Sequence, residues 1–275
     1  MLFVMGGSGR MGGAVLRYGH GTMRTGTRSG HPVAGADETV QFDMDDPALV
    51  AAALRGCTSL FVMRPPQITA RAPFDTLMAQ AKEAGITHII CASVYGAKGS
   101  RVLPHRHMEA AIKESGIVHT VLRPADFMQN LLDVHVDAIR DHGLIAVPAG
   151  RGRSAFLDVD DIGRAVASIL ENPFAHAMKE YDLTGPAALT FGDVAATLTK
   201  VLGHEIRYRD VSIPRFIVNQ LRNGRPLSMS LVMVALYSVQ RFGKAARVSL
   251  DFERITEHPA RTLTQFVERE RGAFT

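Results

Sequence analysis

A glycine-rich loop lies at the very start of the chain: Gly6-Gly7-Ser8-Gly9-Arg10-Met11-Gly12-Gly13 follows the apolar run Leu2-Phe3-Val4-Met5 and precedes a stretch with helical spacing. Glycine at 6 permits a tight turn, at 9 it lets the backbone approach a diphosphate, and at 12 it allows a helix to pack closely on a strand. Amides at the helix start would then hold the phosphates. The spacing Gly6-x-x-Gly9-x-x-Gly12 differs from the G-x-G-x-x-G of ordinary dehydrogenases, so the setting of strand, turn and helix carries as much weight as the glycines. Charge at the end of the second strand selects the dinucleotide. A carboxylate there binds ribose hydroxyls, whereas an arginine accommodates a 2′-phosphate. The second strand falls at about Thr22 to Thr27; it carries Arg24, ends at Arg28, and no Asp or Glu precedes Asp37. The planar guanidinium fork suits a phosphate dianion, so NADP(H) is expected in preference to NAD(H), with NAD(H) still admissible.

Proton-transfer chemistry is less well marked. Reduction of an ordinary carbonyl by a short-chain dehydrogenase uses Tyr-x-x-x-Lys, in which lysine lowers the tyrosine pKa. None of the five tyrosines, at 18, 95, 181, 208 and 237, has lysine four residues later; Tyr95 has Lys98 three on. Gly7-Ser8-Gly9 lacks the G-x-S-x-G nucleophile elbow. His105-Arg106-His107 does not read as a metal site, because residues two apart on a helix diverge and there is no H-E-x-x-H pattern. No metal is expected.

These residues need a scaffold. Short apolar runs at Leu2 to Met5, Ser59 to Met63, His88 to Ala92 and Val118 to Leu122 lack alternation, the pattern of strands buried on both faces. Helical spacing occupies the intervals: Asp46-Pro47 caps Ala48 to Leu54, and Phe74 to Ala84 and His107 to Glu114 have apolar residues three and four apart. Strand alternating with helix implies a Rossmann-type α/β fold with a doubly wound parallel sheet. Further helices are expected at Phe127 to Arg140, Asp158 to Leu170, Val194 to Leu202 behind a Thr190/Asp193 capping box, Pro226 to Arg241 and Ala260 to Arg271, and a strand at Tyr181 to Leu183. The division this suggests is a dinucleotide domain over residues 1–125 and 155–172, with a smaller, mainly helical substrate lobe over 126–154 and 173–275.

Composition agrees with a globular chain of this size: 275 residues, 46% hydrophobic and 21% charged. Of 31 basic residues, 25 are arginine, spread along the chain against 27 acidic ones. A nucleic-acid surface would concentrate them in a stripe with aromatics, so no nucleic-acid partner is expected. The longest apolar stretch, Leu231 to Val239, is about half of a bilayer span, and no signal peptide is evident at the first residues. A cytoplasmic protein without a membrane partner is expected. Cys57 and Cys91 are too few for a disulfide framework and read as packing residues.

The chain resembles the NmrA-like atypical short-chain dehydrogenases, a group with NAD(P)H-dependent quinone and triphenylmethane reductases and the NmrA regulator. The resemblance spans nearly the whole length. It rests on Gly6-x-x-Gly9-x-x-Gly12, Phe42-Asp43-Met44-Asp45-Asp46-Pro47, Ala92-Ser93-Val94-Tyr95-Gly96-Ala97, Leu122-Arg123-Pro124-Ala125-Asp126-Phe127-Met128-Gln129-Asn130, Val159-Asp160-Asp161-Ile162 and Tyr181-Asp182-Leu183-Thr184-Gly185-Pro186. It implies a diphosphate against Ser8 to Met11, a 2′-phosphate near Arg28, and adenine beside Asp43 and Met44. The segment Met63 to Pro66, with Met63, Arg64 and Pro65, would run under the nicotinamide ribose, and Ser93 to Tyr95, with Val94, and Pro124 to Phe127 would border the nicotinamide. Arg64 departs from the family, which has a small polar residue there; it is expected either to bind phosphate or to restrict access. The segment from Gly12 to Arg28 is shorter than the family's usual, so the first helix must be short.

Where some members of the group carry lysine or histidine near the nicotinamide, this chain has His105. Glu109 follows one helical turn later and would orient the imidazole and raise its pKa, making His105 the candidate proton donor. Phe127, Met128 and Phe156, with Tyr95, would wall an apolar substrate pocket. Expected partners are therefore a small apolar electrophile, such as a quinone, an enone or an imine-like dye, and a second copy of the chain, since the helix with Met229, Met233 and Leu236 reads as a packing or dimer surface. The alternative is a non-catalytic NAD(P) sensor that passes the cofactor's redox state to a protein partner. Sugar-nucleotide epimerisation is disfavoured by the missing Tyr/Lys pair.

Overall fold

A computed structural model describes residues 1–100 and 102–275. The apolar runs at the start of the chain become strands because each can bury both faces. In chain order the elements are β1 (Leu2–Val4), α1 (Arg10–Tyr18), β2 (Met23–Thr27), β3 (Glu38–Gln41), α2 (Pro47–Leu54), β4 (Ser59–Met63), α3 (Ala72–Glu83), β5 (His88–Ala92), α4 (His105–Glu114) and β6 (Val118–Pro124). Then follow α5 (Asn130–Asp133), α6 (Val136–His142), β7 (Leu144–Val147), β8 (Arg153–Ser154), α7 (Val159–Glu171), a 3₁₀ turn at Pro173–His176, β9 (Glu180–Leu183), β10 (Leu189–Thr190), α8 (Phe191–Leu202), β11 (Arg207–Asp210), α9 (Ile213–Arg222), α10 (Leu227–Arg241), α11 (Asp251–Thr256), α12 (Leu263–Arg269) and α13 (Arg271–Phe274). No helix among the described residues is long and apolar enough to cross a membrane.

The chain forms two compact units. The first comprises Met1–Pro124, Val159–Leu183 and Asp251–Pro259. Its sheet has the order β3-β2-β1-β4-β5-β6-β9, every pair parallel, with Phe3 between Arg24 and Leu60 in register. The order reverses between β1 and β4, the crevice where open α/β sheets bind ligands. Helix α1 is nine residues long, as the short Gly12 to Arg28 interval demands, and it packs on α7. A Cβ on Gly163 would come within 2.3 Å of the Ala14 carbonyl oxygen, so only glycine allows the two helices to approach so closely. Arg17 reaches Asp160 at 2.5 Å across the same seam.

Two features of this unit depart from the expected rhythm. No helix joins β2 to β3: the connection, with Gly30, Pro32 and Gly35, lacks the periodic apolar residues a crossover helix would need. The sheet also gains β9, paired with β6, and α11, whose Phe252 lies under the Arg164 guanidinium at 5.2 Å. The first unit thus extends through Leu183 and recruits 251–259, both of which the sequence-based division had placed in the helical lobe, and its second segment starts at Val159 instead of 155. Asp46 caps α2 as its position before Pro47 suggests, accepting from Ala48 N at 2.9 Å and Leu49 N at 3.2 Å. Cys57 and Cys91 are buried in the core, where burial pushes both thiols up.

The second unit comprises Ala125–Asp158, Thr184–Leu250 and Ala260–Thr275. The helical run expected from Phe127 to Arg140 is broken into α5 and α6, and the one expected from Ala260 to Arg271 into α12 and α13. Its core gathers Phe191, Phe216, Tyr237, Phe266 and Phe274. The Thr190/Asp193 capping box forms at the start of α8. Asp158 is fully buried yet compensated, with Arg269 at 2.8 Å, Arg261 at 3.1 Å and the Gln129 amide at 2.7 Å.

Candidate functional site

At the carboxyl ends of β1, β2 and β4 the first unit opens a cleft of about 380 Å³. The loop leaving β1 contributes Met5, Gly6 and Ser8, the end of β2 contributes Gly26, Thr27 and Arg28, and Phe42 to Asp45 and Met63, Pro65 to Ile68 close the other walls. Gly6 has φ +69°, the left-handed region that favours glycine, and its carbonyl accepts from Gly9 N at 2.9 Å. A Cβ on Gly12 would lie 2.2 Å from that same carbonyl oxygen. The glycine spacing therefore sets the distance at which α1 starts. Gly9 caps α1 without a side chain, and the first turn has no acidic residue to offset the partial positive charge of the helix end.

Arg28 is exposed on the cleft wall and, among the described residues, makes no ion pair. Arg24, by contrast, is committed to structure: it binds Glu38 at 2.7 Å and the carbonyls of Ala53 and Arg55. Thr27, a cleft residue, has a buried hydroxyl without a hydrogen-bond partner; the cleft wall carries the cation of Arg28, and the N-terminus of α1 begins just beyond Ser8. That donor set fits a phosphorylated dinucleotide. Of the residues singled out from the sequence, Gly6, Ser8, Arg28, Asp43, Met44, Met63 and Pro65 line this one cleft. Gly9, Arg10, Met11 and Gly12 form the start of α1 beside it.

Arg64 does not hang free. Its Nη1 donates to the carbonyls of Pro65, Pro66 and Ile68 at 3.0, 2.9 and 2.9 Å, curling the loop after β4 around the guanidinium. Its Nε donates to His105 Nε2 at 3.4 Å. An arginine N–H can only donate, so Nε2 accepts and the imidazole proton belongs on Nδ1, which is buried and lacks a partner. Burial, followed by the Arg64 charge, pushes the His105 pKa down to about 4, against a smaller pull upward from Glu109. This corrects the expectation that Glu109 orients the imidazole and raises its pKa.

Glu109 has a different task. It is 5% exposed and grips Arg123, itself 2% exposed, with Oε1 3.0 Å from Nε and Oε2 2.6 Å from Nη2. Ser93, at the end of β5, donates its hydroxyl to Glu109 Oε1 at 2.5 Å. Glu180 completes the cluster, 3.0 Å from Arg123 and 2.5 Å from Lys113. Burial tends to raise the Glu109 carboxyl, but bonds from Arg123 and Ser93 hold it below its usual range. The Ser93 hydroxyl is thereby spent inside the fold.

Tyr95 is half-buried; its backbone N donates to the Pro124 carbonyl at 2.9 Å, which fixes the Ser93-Val94-Tyr95 turn against β6. The remaining pocket candidates lie in the second unit. Met128, 1% exposed, and Phe156, 6% exposed with its ring 5.6 Å from Phe191, belong to that unit's core. Phe127 is half-buried and bridges to Leu157. Sequence reasoning missed Gly26, Thr27, Phe42, Asp45, Gln67 and Ile68 in the cleft, whereas Pro66, at the end of the segment expected under the nicotinamide ribose, lines it. For Gly26 a signal existed: a glycine inside a strand marks a close approach, here to Phe42, whose Cβ would lie 2.3 Å from an added Cβ. Among the described residues no group of three or more His, Cys, Asp or Glu is placed to hold a metal.

The NmrA-like family profile matches residues 1–263. An NAD(P)H azoreductase from Xenophilus azovorans is 30% identical over 288 aligned positions, covering 100% of this chain and 99% of that protein. Quinone oxidoreductase 2 from Escherichia coli is 29% identical over 231 positions, 82% of this chain and 80% of that one. The structure of an NADPH-dependent quinone oxidoreductase from Escherichia coli in complex with NADPH superimposes with a TM-score of 0.86 at 26% identity, over 98% of this chain and 99% of that one.

Proposed function

For a chain that belongs to the NmrA-like family, we propose the activity of an NAD(P)H-dependent oxidoreductase that reduces small apolar electrophiles, with NADPH as the preferred donor. The observation that carries this reading is the cleft at the sheet's reversal point, which the glycine turn and Arg28 line and beside which α1 starts without a side-chain cap. The relatives that are an azoreductase and a quinone oxidoreductase support the same class of reaction. Bound in the cleft, a reduced nicotinamide supplies a hydride. The amides at Ser8 to Met11 hold the diphosphate, Arg28 takes the 2′-phosphate, and Asp43 and Met44 flank the adenine. Met63 and Pro65 support the nicotinamide half, in a loop whose shape Arg64 fixes through three carbonyls.

The state of His105 narrows the acceptor. A ring with pKa about 4 is neutral at physiological pH, so it offers a hydrogen bond from Nδ1 and not an imidazolium proton. Acceptors whose anion is delocalised after hydride addition, quinones first among them, need no stronger acid and can take the one proton that completes the reduction from solvent. In this reading Tyr95 and the Nδ1–H of His105, which has no hydrogen-bond partner within the fold, would steady that anion. Loss of NADPH absorbance across a panel of quinones, azo dyes, enones and triphenylmethane dyes tests the reading. Turnover is expected with quinones or dyes and not with simple ketones. Tight binding of NADP⁺ and NADPH alike with no turnover on any acceptor would replace the enzyme by a redox-sensing regulator.

A further inference from the structure

Helix α10 presents its apolar side to solvent. From Leu227 to Gln240 it contains no charged residue. Its inward stripe is Ser230, Met233, Tyr237 and Gln240, spaced three and four apart, and these are buried in the second unit. The opposite stripe carries Leu231, Val232, Leu236 and Val239, between 43% and 56% exposed. A solvent-facing helix ordinarily has this pattern reversed. Helix α9, packed against α10, adds Val218 and Leu221, and Phe242 beyond the end of α10 is 75% exposed. Exposed apolar side chains gathered on two packed helices mark a surface that something else covers.

Charge identifies what covers it. Residues 211–250 contain six basic residues and no Asp or Glu. Arg241 is paired with Asp210 and Arg225 is bonded to Gln220 and the Val134 carbonyl. Arg215, Arg222, Lys244 and Arg247 are exposed and make no ion pair among the described residues. A second copy meeting this face through a two-fold axis would set these cations against their own duplicates. A protein partner would ordinarily be met by several aromatic anchors and hydrogen-bonding groups; the four-residue stripe on α10 has neither, and Phe242 beyond it is a single ring. Aliphatic side chains bordered by unpaired cations match the interface of a bilayer with anionic headgroups.

We propose that the α9–α10 face docks reversibly on an anionic phospholipid surface, with Leu231, Val232, Leu236 and Val239 entering the acyl boundary and Arg215, Arg222, Lys244 and Arg247 meeting the phosphates. This is surface attachment, physically distinct from the spanning segment that the sequence excludes, and it stands independently of the oxidoreductase reading. It would bring the enzyme to a phase in which apolar electrophiles concentrate.

Flotation of the full chain with phosphatidylcholine vesicles, with and without phosphatidylglycerol, tests it. Binding is expected only to the vesicles carrying phosphatidylglycerol, and it should fall steeply as salt rises. Each of Arg222→Gln and Lys244→Gln should weaken it about fivefold. Leu236→Glu should abolish it, with the circular dichroism melt of the parent retained because the residue is exposed. Three outcomes would overturn the proposal: no flotation with either vesicle, equal flotation with both, or light scattering that shows a dimer broken by Leu236→Glu in a protein that does not float.

Discussion

Replacing Glu109 by Gln separates the role the structure gives this residue from the one its position on the helix suggests. The carboxylate makes a bidentate contact with an arginine 2% exposed and also accepts from Ser93. Glutamine keeps the shape but removes the charge and turns one acceptor into a donor facing the guanidinium. Breaking a buried ion pair from one side costs about 3–5 kcal/mol, because the remaining charge stays in the interior. Arg123 retains Glu180 at 3.0 Å, which argues for the lower end, about 3 kcal/mol. At about 2–4 °C per kcal/mol for a chain of this size, the melting midpoint should drop by about 6–12 °C. Ser93→Ala removes a single hydrogen bond and should cost about 1–2 kcal/mol. Urea unfolding of both variants and of the double variant gives the coupling, and NMR titration of the His105 ring gives its pKa. In Glu109→Gln that pKa should stay at or below about 4, since the charge removed is the one pulling it upward. A cost below about 1 kcal/mol would refute the reasoning, and so would a His105 that titrates near 6.5 in the parent.

Arg64→Met removes the neighbouring cation and should move the His105 pKa upward from about 4; amide hydrogen exchange at Gln67 and Ile68 should quicken as three carbonyls of the loop lose their common donor. Gly12→Ala forces a methyl to within 2.2 Å of the Gly6 carbonyl oxygen, so the turn must open; calorimetry should show loss of dinucleotide binding together with a lower melting midpoint. Stability should rise with pH across the acid range. Glu109 is held below its usual pKa and Glu180 at about 2, so their contributions are present above about 4.5 and vanish as pH falls towards 2. His105, depressed to about 4 from 6.5, takes up its proton more readily when unfolded and adds to the slope between those values. Urea midpoints should therefore climb from pH 3 to pH 7, and a flat profile would contradict both assignments.

The dinucleotide half of the fold was legible because its signals are local. Short unalternating apolar runs set between helical stretches point to buried strands, Asp46-Pro47 offers a cap and a first helical residue, and glycines at 6, 9 and 12 record a close approach that the Gly12 geometry makes explicit. The short interval to Arg28 demanded a short first helix, and α1 has nine residues. Long-range pairing was not legible. Nothing in Glu180 to Leu183 says that it adds to the sheet beside β6, and nothing in Asp251 to Thr256 says that it packs there too. Glu109 illustrates the same limit: helical spacing places it one turn after His105, but the partner that wins its charge, Arg123, comes from a strand. Met128 and Phe156 were read as pocket walls because apolar side chains look alike until burial is known; both are core.

The account stands on a phosphorylated dinucleotide seated on the glycine turn with Arg28 at its 2′-phosphate, and isothermal titration of NADPH and NADH into the parent and into Arg28→Ala tests that most directly. The expected result is heat with both nucleotides, tighter binding of NADPH in the parent, and a loss of about tenfold or more for NADPH alone in the variant, the worth of one charge-assisted contact. Equal weakening of both nucleotides, or no heat with either, would contradict it.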